Sequence, residues 1–366
     1  MICRNFEVDS FPSLYETYYF SISFFPCYIY LYTKTQLSLT NTKYQMTTSH
    51  LVSGAINWDK TIFVQKFPDV GEEVQVERVI NFPGGKGANV AVSSARILGR
   101  DKVALFGALG SDFIANKHLE ILRKDGIIID LIQFTKEASS GQAYIIVDSY
   151  GRNSIMTFKQ ANDTLADRMV GTKNMLNTIR SSSLVTVIDP PLSVAKKLIF
   201  QSAASQKITV WAPGMLSSIG VKNVMETIRY VNYLVLNASE CSLLSGNSDP
   251  VAACRTLATK NKNMQVIITR GEKGCIFGKN DDIISIPTAN VVGKGFKVTN
   301  TVGAGDAFLG TFCAMKILGK DNFESLFLAN VAGSIKTTKE ETRGSPTLDE
   351  LIEFSRSIKA KYKKLE

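Results

Sequence analysis

The sequence predicts one α/β domain in which helices cover both faces of a mostly parallel β-sheet and a smaller set of strands is half-exposed. Continuous apolar runs, typical of parallel strands buried on both faces, alternate along the chain with segments of helical periodicity. Two pairs of shorter segments alternate apolar and polar residues, as half-exposed hairpins do. No internal repeat or flexible linker divides the 366 residues into further domains.

The predicted elements follow one another in chain order. Buried strands are predicted at 51–56, 103–109, 184–188, 208–211, 233–236, 265–268 and 283–286, and the strand pattern returns at Val298. The half-exposed strand pairs are predicted at 61–64 with 72–79, and at 142–147 with 154–158. Helical patterns are predicted from the glycine-rich stretch at 84–87 to Gly99, at 307–318 and at 323–336, with a basic terminal helix last.

The composition predicts a folded protein without a nucleic-acid partner. With 45% hydrophobic and 20% charged residues, the chain can bury a large core. The formal charge is +9, and residues 356–366 hold five Lys or Arg and one glutamate. Since neither an aromatic-basic platform nor a zinc motif accompanies these charges, we expect a solvated helix face there. The remaining positive charge suits substrates that carry phosphate.

The cysteines and histidines limit the chemistry. Six cysteines without C-x-x-C spacing predict a reduced, cytoplasmic protein. His50 and His118 are the only histidines, so neither a Ser-His-Asp triad nor a His-rich metal centre is easily assembled. A carboxylate is therefore the group that remains to act as a general base.

The chain is organised around Asn300-Thr301-Val302-Gly303-Ala304-Gly305-Asp306, which precedes the apolar run 307–318. The two glycines allow a tight turn, and the first N–H groups and positive dipole end of the following helix face whatever binds there. The turn is therefore a predicted anion site. Asp306 is either an ordinary capping residue or a base that accepts a hydroxyl proton while the turn stabilises a phosphoryl group.

A second glycine-rich stretch, Gly84-Gly85-Lys86-Gly87-Ala88-Asn89, also opens a helix. It is not a P-loop, because position 80 is isoleucine and a glycine follows Lys86. Together the two stretches resemble the paired signature of the ribokinase family of sugar and nucleoside kinases, and the resemblance runs from Leu51 to about Leu348. It implies the ribokinase-like αβα fold and ATP-dependent phosphorylation of a sugar's primary alcohol, foremost the 5-hydroxyl of D-ribose.

Three alternatives stay open beside a ribose kinase. A nucleoside kinase shares the fold and the aspartate but holds a base as well, and Lys86 and Asp189 favour a free sugar over it. A phosphosugar kinase needs Arg or Lys residues aimed at a substrate phosphate, and no such pair is evident. An inactive binding relative is the third, and the intact residues Gly303, Gly305 and Asp306 count against it.

The resemblance implies a role for individual residues around the sugar. It assigns catalysis to Gly303, Ala304, Gly305 and Asp306, and substrate binding to Asn57, Asp59, Gly84, Gly85, Lys86, Asn89 and Asp189. Asn162 resembles the asparagine that follows the lid in this family. Asp189 stands where the family usually has Glu, so its reach is shorter by one methylene. Without the resemblance, these polar residues would be interpreted as turn formers and a surface amide.

The nucleotide is predicted to bind at later strand ends. The resemblance assigns ATP to Asn237, Thr269, Gly271, Gly274 and Asn330, and assigns Mg²⁺, bound through water, to Glu240. The Asn237-x-x-Glu240 spacing equally fits an ordinary helix cap. Arg270 and Lys273 stay undecided between phosphate contacts and the surface.

A monovalent cation site is implied but altered. In the family a loop like 339–346 and the residue at 300 enclose K⁺, which points to Asn300, Val302, Glu341 and Ser345. Asn300 stands where the family usually has Asp, and Glu341 where it usually has Gly. An amide lacks the charge that neutralises a cation, so we expect weak or absent K⁺ activation. Glu341 either restores that charge or faces solvent.

The lid is predicted to come from two pieces, about 58–83 and 141–160, which close over the substrate and exclude water. The resemblance also implies a homodimer formed through the lid. Residues 46–366 are then the kinase domain, and residues 1–45 an extension outside the functional protein. The extension's aromatic segment is short for a membrane span and holds Pro26, so no stable membrane association is expected, although an anchor is the alternative.

We expect translation to start at Met46, because the family's first strand resembles the residues from Leu51 onward. A protein that begins at Met46 should then be soluble and as active as a longer one. Mass spectrometry of the native N-terminus measures the start directly. Loss of folding in the shorter protein, or membrane partitioning of the full chain, would contradict this prediction.

Overall fold

The computed structural model describes residues 48–150, 152–358 and 362–365. The predictions for the extension, residues 1–45, lie outside this part of the chain. No helix among the described residues is sufficiently long and apolar to span a membrane.

The strands are β1 His50–Gly54, β2 Asn57–Val64, β3 Val76–Gly84, β4 Val103–Phe106, β5 Ala108–Gly110, β6 Ile127–Ile128, β7 Gln133–Thr135, β8 Gly141–Val147, β9 Asn153–Phe158, β10 Leu184–Ile188, β11 Ile208–Ala212, β12 Tyr233–Asn237, β13 Gln265–Thr269, β14 Cys275–Lys279, β15 Asp282–Ile286 and β16 Lys363–Leu365. The α-helices are α1 Lys86–Leu98, α2 Phe113–Lys124, α3 Lys173–Ser181, α4 Leu192–Ala204, α5 Met225–Ile228, α6 Ala238–Ser245, α7 Pro250–Ala258, α8 Ala304–Ile317, α9 Asn322–Thr337 and α10 Leu348–Arg356. Short 3₁₀ turns connect several of them.

The large sheet has the order β16-β15-β14-β13-β12-β11-β10-β1-β4-β6. Seven neighbouring strands of this sheet, β13, β12, β11, β10, β1, β4 and β6, run parallel to one another. At the other edge β14, β15 and β16 are added antiparallel. The predicted mostly parallel sheet is therefore confirmed. Because parallel strands place their carboxyl ends at one edge, the loops after these strands meet there.

Both faces of the large sheet are covered. Along β1, Leu51 packs into one apolar cluster with Trp211 and helix α4, and Val52 packs into the opposite cluster with helices α1 and α8. Successive side chains of a strand point to opposite faces, so these two clusters lie on the two sides of the sheet. This arrangement explains why the buried strands are continuously apolar.

The lid is a separate sheet with the order β3-β2-β8-β9. Asn57 and Asp59 belong to β2, so the predicted core strand 51–56 is too long at its end, and the alternative that these two residues are turn formers is wrong. The core strand ends at Gly54, and β2 pairs with β3 and β8 from Asn57 onward, so the chain bends two residues earlier. Among the contacts between the lid and the body, Arg78 forms an ion pair with Glu340 at 3.0 Å, and Asn153 Nδ2 donates to Thr301 Oγ1 at 3.4 Å.

Three further boundary predictions are corrected. The predicted strand 103–109 divides into β4 and β5, and β5 pairs with β7 in its own two-stranded sheet. Val298 lies in an irregular segment. The basic terminal segment forms no continuous helix, because α10 ends at Arg356 and β16 adds to the open edge of β15, with Lys364 paired to Asp282 at 2.7 Å.

Candidate active site

Two clefts meet at the N-terminus of α8. The larger cleft has a volume of about 890 Å³ and the smaller one about 610 Å³. Thr301 and Gly305 line both of them. The turn at 301–306 therefore lies between two spaces, each large enough for a small ligand.

The turn owes its shape to Gly303. This residue is the N-cap of α8 with φ at 85°, in the left-handed region that favours glycine. A Cβ atom at this position would overlap the carbonyl oxygen of Thr342. The tight turn leaves the first N–H groups of α8 without helical partners, and they face the junction of the clefts with the positive end of the helix dipole. Ala304 and Gly305 are the first two residues of α8, directly after the turn.

Asp306 lies in the first turn of α8 and lines the smaller cleft. Its Oδ2 accepts a hydrogen bond from Asn89 Nδ2 at 2.8 Å. Burial raises the pKa of Asp306, while the Asn89 hydrogen bond and the positive charges of Lys86 and Lys336 oppose that rise. Burial lowers the pKa of Lys336 itself to about 8, which leaves its ammonium protonated at neutral pH. A half-buried carboxylate with a raised pKa suits a general base.

The smaller cleft collects the residues predicted to bind the sugar. Asn57, Asp59, Gly85, Lys86, Asn89 and Asp189 line it, and Gly84 lies beside it at the end of β3. Apolar side chains of the lid, among them Ala143 and Ile145, also line this cleft. Gly85 is the N-cap of α1 with φ at 90°, and a Cβ atom there would overlap the backbone of Asn57. The sequence thus brings lid, glycine turn and α1 together around one space.

Asn162 holds the two lid pieces together beneath this cleft. Its Oδ1 accepts from the Ile56 N–H at 2.8 Å, and its Nδ2 donates to Asn57 Oδ1 at 2.9 Å and to the Lys159 carbonyl oxygen at 2.9 Å. The amide is 7% exposed, so its bonds are shielded from water. Asn162 also lines the cleft, and it orients Asn57 through their hydrogen bond.

Both lysines that line the smaller cleft are paired with carboxylates. Lys86 lies 3.5 Å from Asp189 and Lys159 lies 3.8 Å from Asp163. Burial opposes the charge of Lys86, but the carboxylates of Asp189, Glu240 and Asp306 outweigh it and raise the pKa of Lys86. Asp189 Oδ1 also accepts from the Met215 N–H at 3.2 Å. Asp189 is therefore held on both sides, by a lysine and by a backbone amide.

The larger cleft collects the residues predicted to bind ATP. Asn237, Thr269, Gly271, Gly274 and Asn330 all line it. Lys273 lines it as well. Arg270 instead donates to the Lys273 carbonyl oxygen at 3.2 Å and to Ser285 Oγ at 2.7 Å, so it holds the turn before β14.

The Asn237 and Glu240 side chains form a reciprocal helix cap at the start of α6. Asn237 Oδ1 accepts from the Glu240 N–H at 2.8 Å, and Glu240 Oε2 accepts from the Asn237 N–H at 3.0 Å. The second carboxylate oxygen of Glu240 takes no part in the cap. Glu240 is close enough to Lys86 and Asp306 to influence the pKa of each, so it lies toward the junction of the clefts. This half-buried carboxylate fits a water-bound Mg²⁺ that arrives with a nucleotide.

No dedicated metal cage is seen in the described ranges, where no three His, Cys, Asp or Glu side chains gather around one point. Neither histidine lines a cleft. His50 lies in the core between Ser94 Oγ at 2.8 Å and Thr186 Oγ1 at 2.7 Å, and burial lowers the pKa of both histidines to about 3. Asp306 is therefore the titratable group best placed to accept a proton at the junction.

The residues predicted to bind a monovalent cation each contact a different part of the protein. Asn300 Oδ1 accepts from the Val302 N–H at 2.9 Å, and Val302 lines the smaller cleft. Ser345 is buried and its carbonyl oxygen accepts from Arg96. The side chain of Glu341 is exposed.

Arg343 is a site residue that the sequence did not reveal. It is 5% exposed, and its Nε donates to Asn89 Oδ1 at 3.2 Å while Nη2 donates to the Gly84 carbonyl oxygen at 2.8 Å. Burial lowers its pKa to about 10, so it remains a cation. By occupying the Asn89 oxygen, Arg343 leaves the Asn89 amide nitrogen to donate to Asp306. In the sequence, Arg343 is a single arginine within a polar loop, and nothing in that pattern indicates that it is buried.

Comparisons with known proteins agree on one family. The family described as pfkB family carbohydrate kinase matches residues 47–348. A ribokinase of Haemophilus influenzae is 30% identical over 313 residues, which cover 83% of this chain and 97% of that protein. A ribokinase of Dictyostelium discoideum is 29% identical, covering 80% of this chain and 96% of that protein. The structure of a ribokinase from Cryptococcus neoformans in complex with ADP matches with a TM-score of 0.70 and 25% identity, over 84% of this chain and 99% of that one.

The pKa of Asp59 yields a prediction on stability. Asp59 is 4% exposed, and burial raises its pKa to about 7 from an ordinary value of 3.8. Between these values the folded chain holds a proton that the unfolded chain has released, so the free energy of unfolding falls as the pH rises through this window. Asp59→Asn, which mimics the protonated carboxyl, should match the natural protein near pH 4 and exceed its stability at pH 8 by on the order of 2–4 kcal/mol.

Urea denaturation at several pH values measures this gap. Asp163→Asn is the matched control, because Asp163 lines the same cleft but its side chain is 63% exposed and stays solvated in the folded chain. If the difference in free energy of unfolding between Asp59→Asn and the natural protein does not grow with pH, Asp59 is already ionised in the folded protein at low pH and the prediction is contradicted.

Proposed function

The chain belongs to the pfkB family of carbohydrate kinases, and we propose that it transfers the γ-phosphoryl group of ATP to the 5-hydroxyl of D-ribose. The observation that carries this proposal is the position of Asp306. It lies at the junction of two clefts, hydrogen-bonded to Asn89 of the sugar cleft and placed one residue after Gly305, which both clefts share. A base at that junction can act on a hydroxyl in one cleft while a phosphate chain enters from the other.

In the proposed reaction Asp306 accepts the proton of the sugar hydroxyl as the hydroxyl oxygen attacks the γ-phosphorus. The N–H groups at the start of α8 stabilise the negative charge on the transferred phosphoryl group. Asn89 holds the Asp306 carboxylate in place, and Arg343 in turn holds Asn89. Mg²⁺ bound with the nucleotide, near Glu240, would neutralise charge on the β- and γ-phosphates.

The lining of the smaller cleft supports a free sugar rather than a nucleoside. Asn57, Asp59 and Asp189 offer amide and carboxylate groups that suit vicinal hydroxyls, while Asn89 holds Asp306 beside them. No aromatic side chain of the described residues lines this cleft. A nucleoside brings a base whose flat face gains roughly 1–3 kcal/mol from stacking on an aromatic ring, and this cleft offers none.

The charge pairing of the same cleft argues against a sugar that already carries phosphate. The cationic side chains that line the cleft are Lys86 and Lys159, and each is paired with a carboxylate that lines it too. A phosphate would have to compete with Asp189 or Asp163 for its cation. A neutral sugar needs no such exchange.

We also assign the enzyme to the cytoplasm, where ATP is abundant and thiols stay reduced. Cys241, Cys254, Cys275 and Cys313 are buried free thiols, and burial raises the pKa of each to about 12. Buried protonated thiols of this kind behave as small apolar side chains.

A homodimer through the lid is the proposed assembly. The outer face of the lid, defined here as Val79, Met156 and Phe158 with their neighbours Ile62 and Tyr144, points away from the smaller cleft. Val79, Met156 and Phe158 are 52%, 52% and 54% exposed. Exposed apolar side chains grouped on one sheet face are typical of a protein–protein contact.

Asp306→Asn should retain the fold and ADP affinity but lose turnover, because an amide cannot accept the hydroxyl proton. We expect kcat to fall by about 10²- to 10⁴-fold. Glu324→Gln is the matched control: Glu324 also lies in the first turn of a helix, α9, but outside both clefts. A coupled assay measures kcat and calorimetry measures ADP binding, and unchanged turnover in Asp306→Asn would remove this residue from the mechanism.

The same assay decides the substrate when D-ribose, D-fructose, adenosine and fructose 6-phosphate are compared with ATP as donor. The proposal requires the highest kcat/KM for D-ribose. A preference for adenosine would assign the chain to the nucleoside kinases of the same fold.

Phe158→Glu should convert the dimer to a monomer, since it places a charge in the outer face of the lid. Analytical ultracentrifugation at micromolar concentration measures the mass directly. Phe200→Glu is the control, because Phe200 is 53% exposed but lies on α4, in the body of the domain. A natural protein that sediments as a monomer would contradict the proposed dimer.

A further inference from the structure

Lys336 is a buried lysine beneath the catalytic turn. It lies in the last turn of α9 and is 0% exposed, which is rare for a side chain that carries a full charge. Its Nζ donates to the Asn300 carbonyl oxygen at 2.9 Å and to the Lys339 carbonyl oxygen at 3.4 Å. The ammonium is thus solvated by backbone carbonyl oxygens, as a metal ion would be.

Several other carbonyl oxygens of the surrounding loop also accept hydrogen bonds from protein donors. Asn300 Nδ2 donates to the Glu340 carbonyl oxygen at 2.7 Å. Arg96 donates to the Arg343 carbonyl oxygen at 2.8 Å and to that of Ser345. The N–H groups of Thr299 and Asn300 donate to the Thr337 carbonyl oxygen at 2.8 and 3.1 Å. A monovalent cation at this point would need the space and the carbonyl oxygens of Asn300 and Lys339 that the Lys336 ammonium already holds, so the residues present do not fit one.

We propose that the ammonium group of Lys336 takes the place of a monovalent cation beneath the catalytic turn and makes the enzyme independent of K⁺. The inference rests on the proposed kinase function. Lys336 acts as a positioning residue: it binds the carbonyl oxygen of Asn300, whose side chain accepts from the Val302 N–H at 2.9 Å, one residue before Gly303. Its positive charge also lies close enough to Asp306 to act on that carboxyl.

Asn300 and Lys336 suit each other chemically. A carboxylate at 300 could not donate to the Glu340 carbonyl oxygen, whereas the amide does so at 2.7 Å. The amide at 300 is neutral, and Lys336 supplies a positive charge from the chain itself. The two side chains therefore act together on the Asn300 segment of the turn.

Ion dependence of the natural protein tests the proposal first. Initial rates with D-ribose and ATP should agree within about twofold in KCl and in tetramethylammonium chloride at equal ionic strength. The melting temperature without substrate should also be the same in the two salts. A stimulation of about tenfold or more by K⁺, or a melting temperature raised by K⁺ alone, would show that a metal ion binds here and would overturn the inference.

Variants then test the role of the ammonium. Lys336→Met keeps the apolar stem and should lower kcat by about 10- to 100-fold with little change in KM for ATP, because the charge acts on the turn and not on substrate binding. Lys316→Met is the matched control, since Lys316 Nζ also donates to a carbonyl oxygen, that of Lys320 at 2.8 Å, but away from both clefts. An unchanged kcat in Lys336→Met would overturn the inference.

The double variant Lys336→Ala with Asn300→Asp should rebuild a metal site. We expect K⁺, but not tetramethylammonium, to raise its melting temperature by several degrees and its kcat by about tenfold or more. Absence of K⁺ stabilisation in a variant that folds would contradict the proposed exchange of ammonium for metal. The melting measurements need no turnover, so they decide this point even if no sugar is phosphorylated and the proposed function fails.

Discussion

The close packing of α1 against α8 is the constraint on which the rest of the site depends. Ser93 Oγ of α1 donates to the Ala307 carbonyl oxygen of α8 at 3.1 Å, and a Cβ atom at Gly310 would overlap Val90 and Ser93. The contact brings the N-termini of both helices to one place, so that the glycine turn before each helix faces the same junction. At the N-terminal ends of the two helices, Asn89 of α1 donates a hydrogen bond to Asp306 of α8. Two helix dipoles and two glycine turns then concentrate positive potential where a phosphoryl group would be transferred.

Fixed cations add to this potential, and carboxylates balance it. Lys86, Lys336 and Arg343 surround the junction, and Asp59, Asp189, Glu240 and Asp306 lie among them. Buried charges of this kind cost stability unless they are paired or hydrogen-bonded. The raised pKa of Asp59 and Asp306 shows that the carboxylates are only partly compensated. The fold therefore maintains a strained electrostatic arrangement at the site, which is typical of catalytic centres.

The sequence predicted the parts of this structure that are local. Apolar runs indicated the parallel strands, and the glycine turns at 84–87 and 303–305 indicated where the clefts would lie. The Asn237-x-x-Glu240 spacing was compatible both with a helix cap and with a nucleotide site. The cap is formed, and Asn237 also lines the larger cleft. Arg343 and Lys336 were missed because their roles depend on burial and on long-range contacts. Arg343 binds residues 254 and 259 positions away in the chain, and no spacing or periodicity reveals such a partner. The start of β2 was misplaced for a similar reason, since pairing with β3 and β8 decided it.

Two of the contacts between the lid and the body have a thermodynamic consequence. Asn153 of β9 reaches Thr301 of the catalytic turn, and Arg78 of β3 reaches Glu340, whose backbone oxygen is held by Asn300. If a bound sugar holds the lid closed, these contacts also hold the catalytic turn in one arrangement, and that turn lines the nucleotide cleft as well. Reciprocity requires that a nucleotide that favours this arrangement strengthens sugar binding by the same factor. Because Arg78 and Glu340 are 54% and 42% exposed, water screens their attraction to at most about 1 kcal/mol, so the ion pair by itself contributes a factor of roughly fivefold at most. Through this ion pair, each substrate is thus expected to strengthen binding of the other only mildly.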